Sequence, residues 1–190
     1  RSPLQRDFYR IGINGKNKKR LSTDEGTWRV SASAGCKYYI SYYTNLSTPT
    51  VVTLHKGDGT PVRVLEDNAA LKEYIASIDM PIKEFFTFTT PEGYTLNGYM
   101  TRPADFDPTR KYPVLMTQYS GPGSQEVTDS WFVDWEDALV QEGYIVACVD
   151  PRGTGYRGEE FKKLSYGIMG RLETEDQISA AKYLASLPYV

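Results

Sequence analysis

The stretch Lys111-Tyr112-Pro113-Val114-Leu115-Met116-Thr117-Gln118-Tyr119-Ser120-Gly121-Pro122-Gly123 decides the reading of this chain. It predicts a buried strand that runs straight into a rigid glycine-proline loop. The same grammar recurs where Tyr144-Ile145-Val146-Ala147-Cys148-Val149 meets Asp150-Pro151-Arg152-Gly153-Thr154-Gly155. Two apolar strands, each closed by a Gly/Pro loop and separated by a helical stretch, make a βαβ unit. Chemistry in open α/β sheets gathers at the carboxyl ends of the strands. Both loops therefore point to one site, with Tyr119 at its rim.

Working outward, the second half predicts a hairpin, Glu84–Thr89 and Thr95–Met100 around Pro91-Glu92-Gly93, ahead of the strand at 113–118. Trp131 to Glu142 reads as an amphipathic helix with Trp131, Trp135, Ala138 and Leu139 on one face, stopped by Gly143. Glu173 to Leu187 reads as a second, with Ile178, Ala181, Tyr183, Leu184 and Leu187 apolar. The first half differs. Between Trp28 and Leu65 four short strands alternate with turn signals, the pattern of one blade of a β-propeller. Residues 7–21 read as two strands of a preceding blade. The expected division is thus 1–66 as the C-terminal part of a propeller, 67–82 as a linker with a short helix started by Asn68, and 83–190 as the N-terminal part of an α/β domain.

Composition narrows the function classes. The 190 residues carry a net charge of −2 and are 40% hydrophobic and 24% charged, as in an ordinary globular protein. No clustered Lys/Arg surface is present for nucleic acid; Lys16-Asn17-Lys18-Lys19-Arg20 reads as a solvated hairpin end. No apolar run reaches the length of a membrane span. One histidine and two distant cysteines give no zinc spacing, so no metal or other cofactor is expected. Cys36 and Cys148 both lie in or beside apolar strand patterns and read as buried free thiols.

Three motifs, Tyr119-Ser120-Gly121-Pro122-Gly123-Ser124-Gln125, Val149-Asp150-Pro151-Arg152-Gly153-Thr154-Gly155-Tyr156-Arg157-Gly158 and Glu173-Thr174-Glu175-Asp176-Gln177, follow one another in this order. Together they resemble the dipeptidyl peptidase IV branch of the prolyl oligopeptidase family, serine peptidases in which a β-propeller packs on an α/β-hydrolase domain. The resemblance implies a mixed β and α/β fold: the terminal blade of a propeller, then the opening half of a hydrolase. It implies release of N-terminal dipeptides with proline or alanine in second place, peptide substrates, no cofactor, a homodimeric parent, and a periplasmic, secreted or cell-surface location. It assigns Tyr119 the role of an oxyanion-hole hydroxyl. An oligopeptidase or acylaminoacyl peptidase of the same family, and a non-catalytic propeller–hydrolase binding protein, remain alternatives.

The nucleophile of such hydrolases sits in a Gly-x-Ser-x-Gly elbow, with its partners following in the order Ser, Asp, His. No such elbow occurs here; Lys163-Leu164-Ser165-Tyr166-Gly167 lacks the first glycine and the preceding strand, so Ser165 reads as a decoy. The chain is therefore expected to be an internal fragment, inactive by itself, with the Val114–Gln118 strand at a sheet edge that the rest of the parent chain would cover and that would otherwise promote self-association. Other polar residues receive structural roles: Asp150 and Arg152 as an ion pair shaping their loop, Glu173, Glu175 and Asp176 as acidic residues suited to a helix start, and His55 as a surface residue.

Overall fold

The computed structural model describes residues 2–190. The chain divides into two compact units: one runs to Ile78 and also takes in Thr128–Phe132, and the other comprises Asp79–Val127 and Val133–Val190.

In the first unit, β1 (Tyr9–Arg10) pairs with β2 (Lys19–Arg20). A separate sheet follows from β3 (Thr27–Ala32), β4 (Tyr38–Asn45), β5 (Thr48–Lys56) and β6 (Pro61–Glu66). These four are antiparallel in sequence order, a meander of the kind that forms one propeller blade. His55 is buried, not a surface residue. Its ring stacks on Tyr39 at 4.7 Å between centroids, and its Nε2 lies 2.9 Å from the Ser41 hydroxyl, so its polar atom is satisfied in the interior. The segment Thr128–Phe132 is tied in by polar contacts: the Leu46 amide donates to Asp129 Oδ1 (2.9 Å), Asp129 N–H to the Leu4 carbonyl (2.8 Å), and Trp131 N–H to Thr44 Oγ1 (3.0 Å). The helix α1 (Ala69–Ala76) begins after Asn68, but Asn68 is left-handed and its amide donates to the Thr50 carbonyl at 2.6 Å instead of capping the helix.

The second unit is built on a sheet of β7 (Ile82–Thr89), β8 (Thr95–Arg102), β9 (Val114–Thr117) and β10 (Ile145–Asp150). Their spatial order is β7-β8-β10-β9. Only β9 and β10 are parallel, and β9 lies at the edge, as its sequence reading requires. Strand alternation sorts the side chains. Phe86, Phe88, Leu96, Met100, Ile145, Ala147 and Val149 pack with Ala180 and Leu184 of α4 (Arg171–Ala185), the helix after the short α3 (Glu159–Lys163), into the main core. The opposite parity places Tyr99, Cys148 and Thr117 in one row across the sheet.

That second face meets α2 (Trp135–Gln141), which begins four residues later than the sequence suggests and turns a different side inward. Glu136, Asp137 and Val140 are buried, whereas Trp135 is 62% exposed and Ala138 is exposed. The buried carboxylates have partners: Tyr99 donates its hydroxyl to Glu136 Oε2 at 3.1 Å, and Asp137 closes a reciprocal cap with Asp134 at the helix start. In α4 the buried positions are Glu173, Asp176, Ala180 and Leu184, so Ile178 and Ala181 face outward.

The cysteines separate. Cys148 is buried on β10, but Cys36 is exposed in a one-turn 3-10 segment (Ala34–Cys36), where its left-handed backbone takes it out of the strand pattern. Burial pushes the Cys148 thiol up to about 12. Since the thiolate is the reactive form, a disulfide reagent at pH 8 is expected to modify Cys36 within minutes and to reach Cys148 only after denaturation. Rapid modification of both thiols in the folded protein would contradict this packing.

Candidate active-site rim

β9 delivers its chain to the carboxyl edge of the sheet, and Tyr119 is the second residue past its end. The ring is 71% exposed. Among the described residues no hydrogen bond reaches its hydroxyl, so the phenol is free to donate to an incoming group. Its direction comes from the turn that follows. Ser120 adopts a left-handed backbone (φ 59°), unusual for a residue with a side chain. Tyr119 folds over Gly121 so closely that a Cβ there would collide with its ring.

The two Gly/Pro loops are joined edge to edge. Gly123 N–H donates to the Gly153 carbonyl at 2.9 Å, and Gly155 N–H returns to the Ser124 carbonyl at 2.8 Å. Gly155 permits this approach, because a Cβ would stand 2.7 Å from the Gly123 carbonyl oxygen. The structure thus brings the Tyr119 loop and the Asp150–Gly158 loop into one rim.

The charged residues behind the rim are structural, but not in the pairing expected. Asp150 and Arg152 do not pair with each other. Asp150 accepts the backbone N–H groups of Glu126 and Val127, both at 3.0 Å. Burial pushes its carboxyl above the ordinary range, and those two amides partly offset the rise. The cation partner lies on α4: Arg152 reaches Asp176 through Nη2 at 2.7 Å and Nε at 2.9 Å, and Asp176 also accepts the Arg152 amide at 2.7 Å. Arg152 further contacts Glu175 at 3.4 Å and Glu92 at 3.9 Å, and its guanidinium lies over the Tyr94 ring. Asp176 is 0% exposed, so it is an interior counter-ion and not merely a helix-start carboxylate. Glu173 does serve the helix start, accepting Gly170 N–H at 2.8 Å.

Sequence reasoning passed over Gln118, Ser120 and Gln177. Gln177 Nε2 donates to Ser120 Oγ (3.2 Å) and to the Val149 carbonyl (2.9 Å), linking α4, β10 and the Tyr119 turn. Gln177 closes the third of the motifs singled out above, but nothing in its spacing points to Ser120, which is 57 residues away. Ser165 is buried, packed behind Gly153, and lies in no elbow. Among the described residues no group of three or more His, Cys, Asp or Glu side chains could hold a metal ion.

Residues 131–190 match the prolyl oligopeptidase family, and residues 1–50 match the dipeptidyl peptidase IV N-terminal region. With a blade-type sheet followed by the start of a peptidase domain, the chain belongs to the dipeptidyl peptidase IV branch of the prolyl oligopeptidase family. Among solved structures it is similar to Porphyromonas gingivalis dipeptidyl peptidase 4, with a TM-score of 0.94 and 46% identity over all of this chain and 27% of that one. Among curated proteins, it is 41% identical over 88% of its length to the "Probable dipeptidyl peptidase 4" of Emericella nidulans, covering 22% of that protein. It is 36% identical over its whole length to the "Probable dipeptidyl-aminopeptidase B" of Metarhizium robertsii, covering 21%. The chain thus spans about a fifth to a quarter of the length of these relatives.

Proposed function

We propose that the full-length protein is a serine-type exopeptidase that releases N-terminal dipeptides with proline or alanine in second position, and that Tyr119 supplies one oxyanion donor. The observation that carries this reading is the Tyr119 phenol, exposed at the carboxyl edge of the sheet on a turn locked to the neighbouring loop. Acyl transfer develops negative charge on the substrate carbonyl oxygen as the nucleophile adds. A hydroxyl already aimed at that position stabilises the charge without having to reorganise. The serine nucleophile and its acid and base partners lie outside these 190 residues in this proposal. So do the groups that grip the substrate amine and the proline ring. The remainder of the protein is also proposed to cover the free edge of β9 and to complete a homodimer, as the unpaired backbone of an edge strand demands a partner or a cover.

A chromogenic Xaa-Pro anilide separates the cases. The full-length protein is expected to cleave it and to lose that activity to a serine-directed inhibitor. The 190-residue chain is expected to show none. Turnover by the short chain would overturn the assignment and turn attention to Ser165. Cleavage confined to substrates with a blocked amino terminus would replace the dipeptidyl reading with the acylaminoacyl one.

A further inference from the structure

The exposed Tyr119 ring makes no polar contact that would orient it, so its aim depends on the backbone to either side. Both flanking residues are held by one chain of hydrogen bonds. Gln177 Nε2 on α4 donates to Ser120 Oγ at 3.2 Å, and the Ser120 hydroxyl donates in turn to Gln118 Oε1. Gln118 immediately precedes Tyr119 and Ser120 immediately follows it. The second bond of Gln177, to the Val149 carbonyl at 2.9 Å, ties the same amide to the central strand. Its neighbour Asp176 is locked to Arg152, which fixes the turn of α4 that presents Gln177.

From this arrangement we infer that Gln177 is a positioning residue for Tyr119, acting through the Ser120 hydroxyl. The inference rests on the proposed role of Tyr119 and extends it to α4. Ser120 sits in a left-handed conformation that its side chain disfavours. The bond from Gln177 holds it there, and that backbone turn sets the direction in which the phenol leaves β9. A displacement near 1 Å in an oxyanion donor is costly in rate although the donor is still present.

The test uses the full-length protein and two variants, Gln177→Met and Ser120→Gly, each made alone and with Tyr119→Phe. Gln177→Met keeps the side-chain volume and removes the donor. Ser120→Gly removes the hydroxyl while easing the left-handed backbone, so it should not impair folding. Each single variant is expected to lower kcat about tenfold with KM unchanged, and to have no further effect once Tyr119 is phenylalanine. Equal losses in both backgrounds would reduce Gln177 to a packing residue and overturn the inference. So would wild-type turnover by Ser120→Gly. Amide hydrogen exchange over residues 118–123 gives a reading independent of catalysis. It should be about tenfold faster in Gln177→Met, with the β10 amides unchanged. Unaltered exchange would overturn the inference whatever the activity. A wild-type protein without peptidase activity would instead defeat the proposed function, and the exchange result would still decide whether Gln177 holds the turn.

Discussion

Tyr119→Phe in the full-length protein is expected to lower kcat roughly 10²–10³-fold and to leave KM nearly unchanged. The change removes one oxygen from a side chain that is 71% exposed. It should therefore leave the thermal midpoint where it was. A neutral substrate carbonyl accepts a weak hydrogen bond, whereas the tetrahedral oxyanion accepts a strong one, so the loss falls on the transition state. Steady-state kinetics on an Xaa-Pro anilide, beside a melting curve, reads both quantities. An effect confined to KM, or a lowered midpoint with kcat intact, would make Tyr119 a packing residue.

The second large effect lies behind the rim. Asp176→Ala should destabilise the full-length protein by about 3–5 kcal/mol, because it leaves the buried Arg152 guanidinium without its main counter-ion. The Arg152 amide loses its acceptor in the same change. A fall in the midpoint of the transition of roughly a few degrees should follow in a protein several times the length of this chain. Asp176→Leu combined with Arg152→Met should cost less than Asp176→Ala alone, since the pair is then replaced by apolar groups and no charge is stranded. Calorimetry or denaturant titration decides. A drop within 1 °C for the single variant would mean that Glu175, Glu92 and the Tyr94 ring suffice to hold the cation.

The contrast between what the sequence disclosed and what it hid has a physical basis. The strands at 114–117 and 145–150 and their loops were legible because β-branched and apolar runs ending in Gly/Pro have few other folded uses. The blade was legible because its four strands are joined by tight turns, so local signals carry its topology. The inward face of α2 was not. Trp131 and Trp135 outweighed two carboxylates that turn out to be buried, since Glu136 has the Tyr99 hydroxyl and Asp137 the helix cap. His55 was misplaced for the same reason: stacking on Tyr39 and the Ser41 hydroxyl make a polar ring acceptable inside. Asp150 and Arg152 looked like partners because they are two residues apart, but their true partners lie 23 to 24 residues away. At the rim, the strand end and the Gly/Pro loop were enough to place Tyr119 at the carboxyl edge of the sheet. The bond from Gln177 to Ser120 was not legible, because a contact between a helix and a distant turn leaves no periodic trace in sequence.

The return of Thr128–Phe132 to the first unit has a consequence for synthesis. The carboxylate that accepts the Leu46 amide and the Gln5 side chain belongs to Asp129, and the Thr44 hydroxyl finds its donor in Trp131. On the ribosome the blade therefore waits after Ile78 until a further 54 residues have been made before its last polar contacts can close. At ordinary elongation rates that is a delay of roughly 3–10 s. During that interval the nascent sheet must remain soluble with unmet amides. Any gene trimmed at the apparent linker would make the delay permanent.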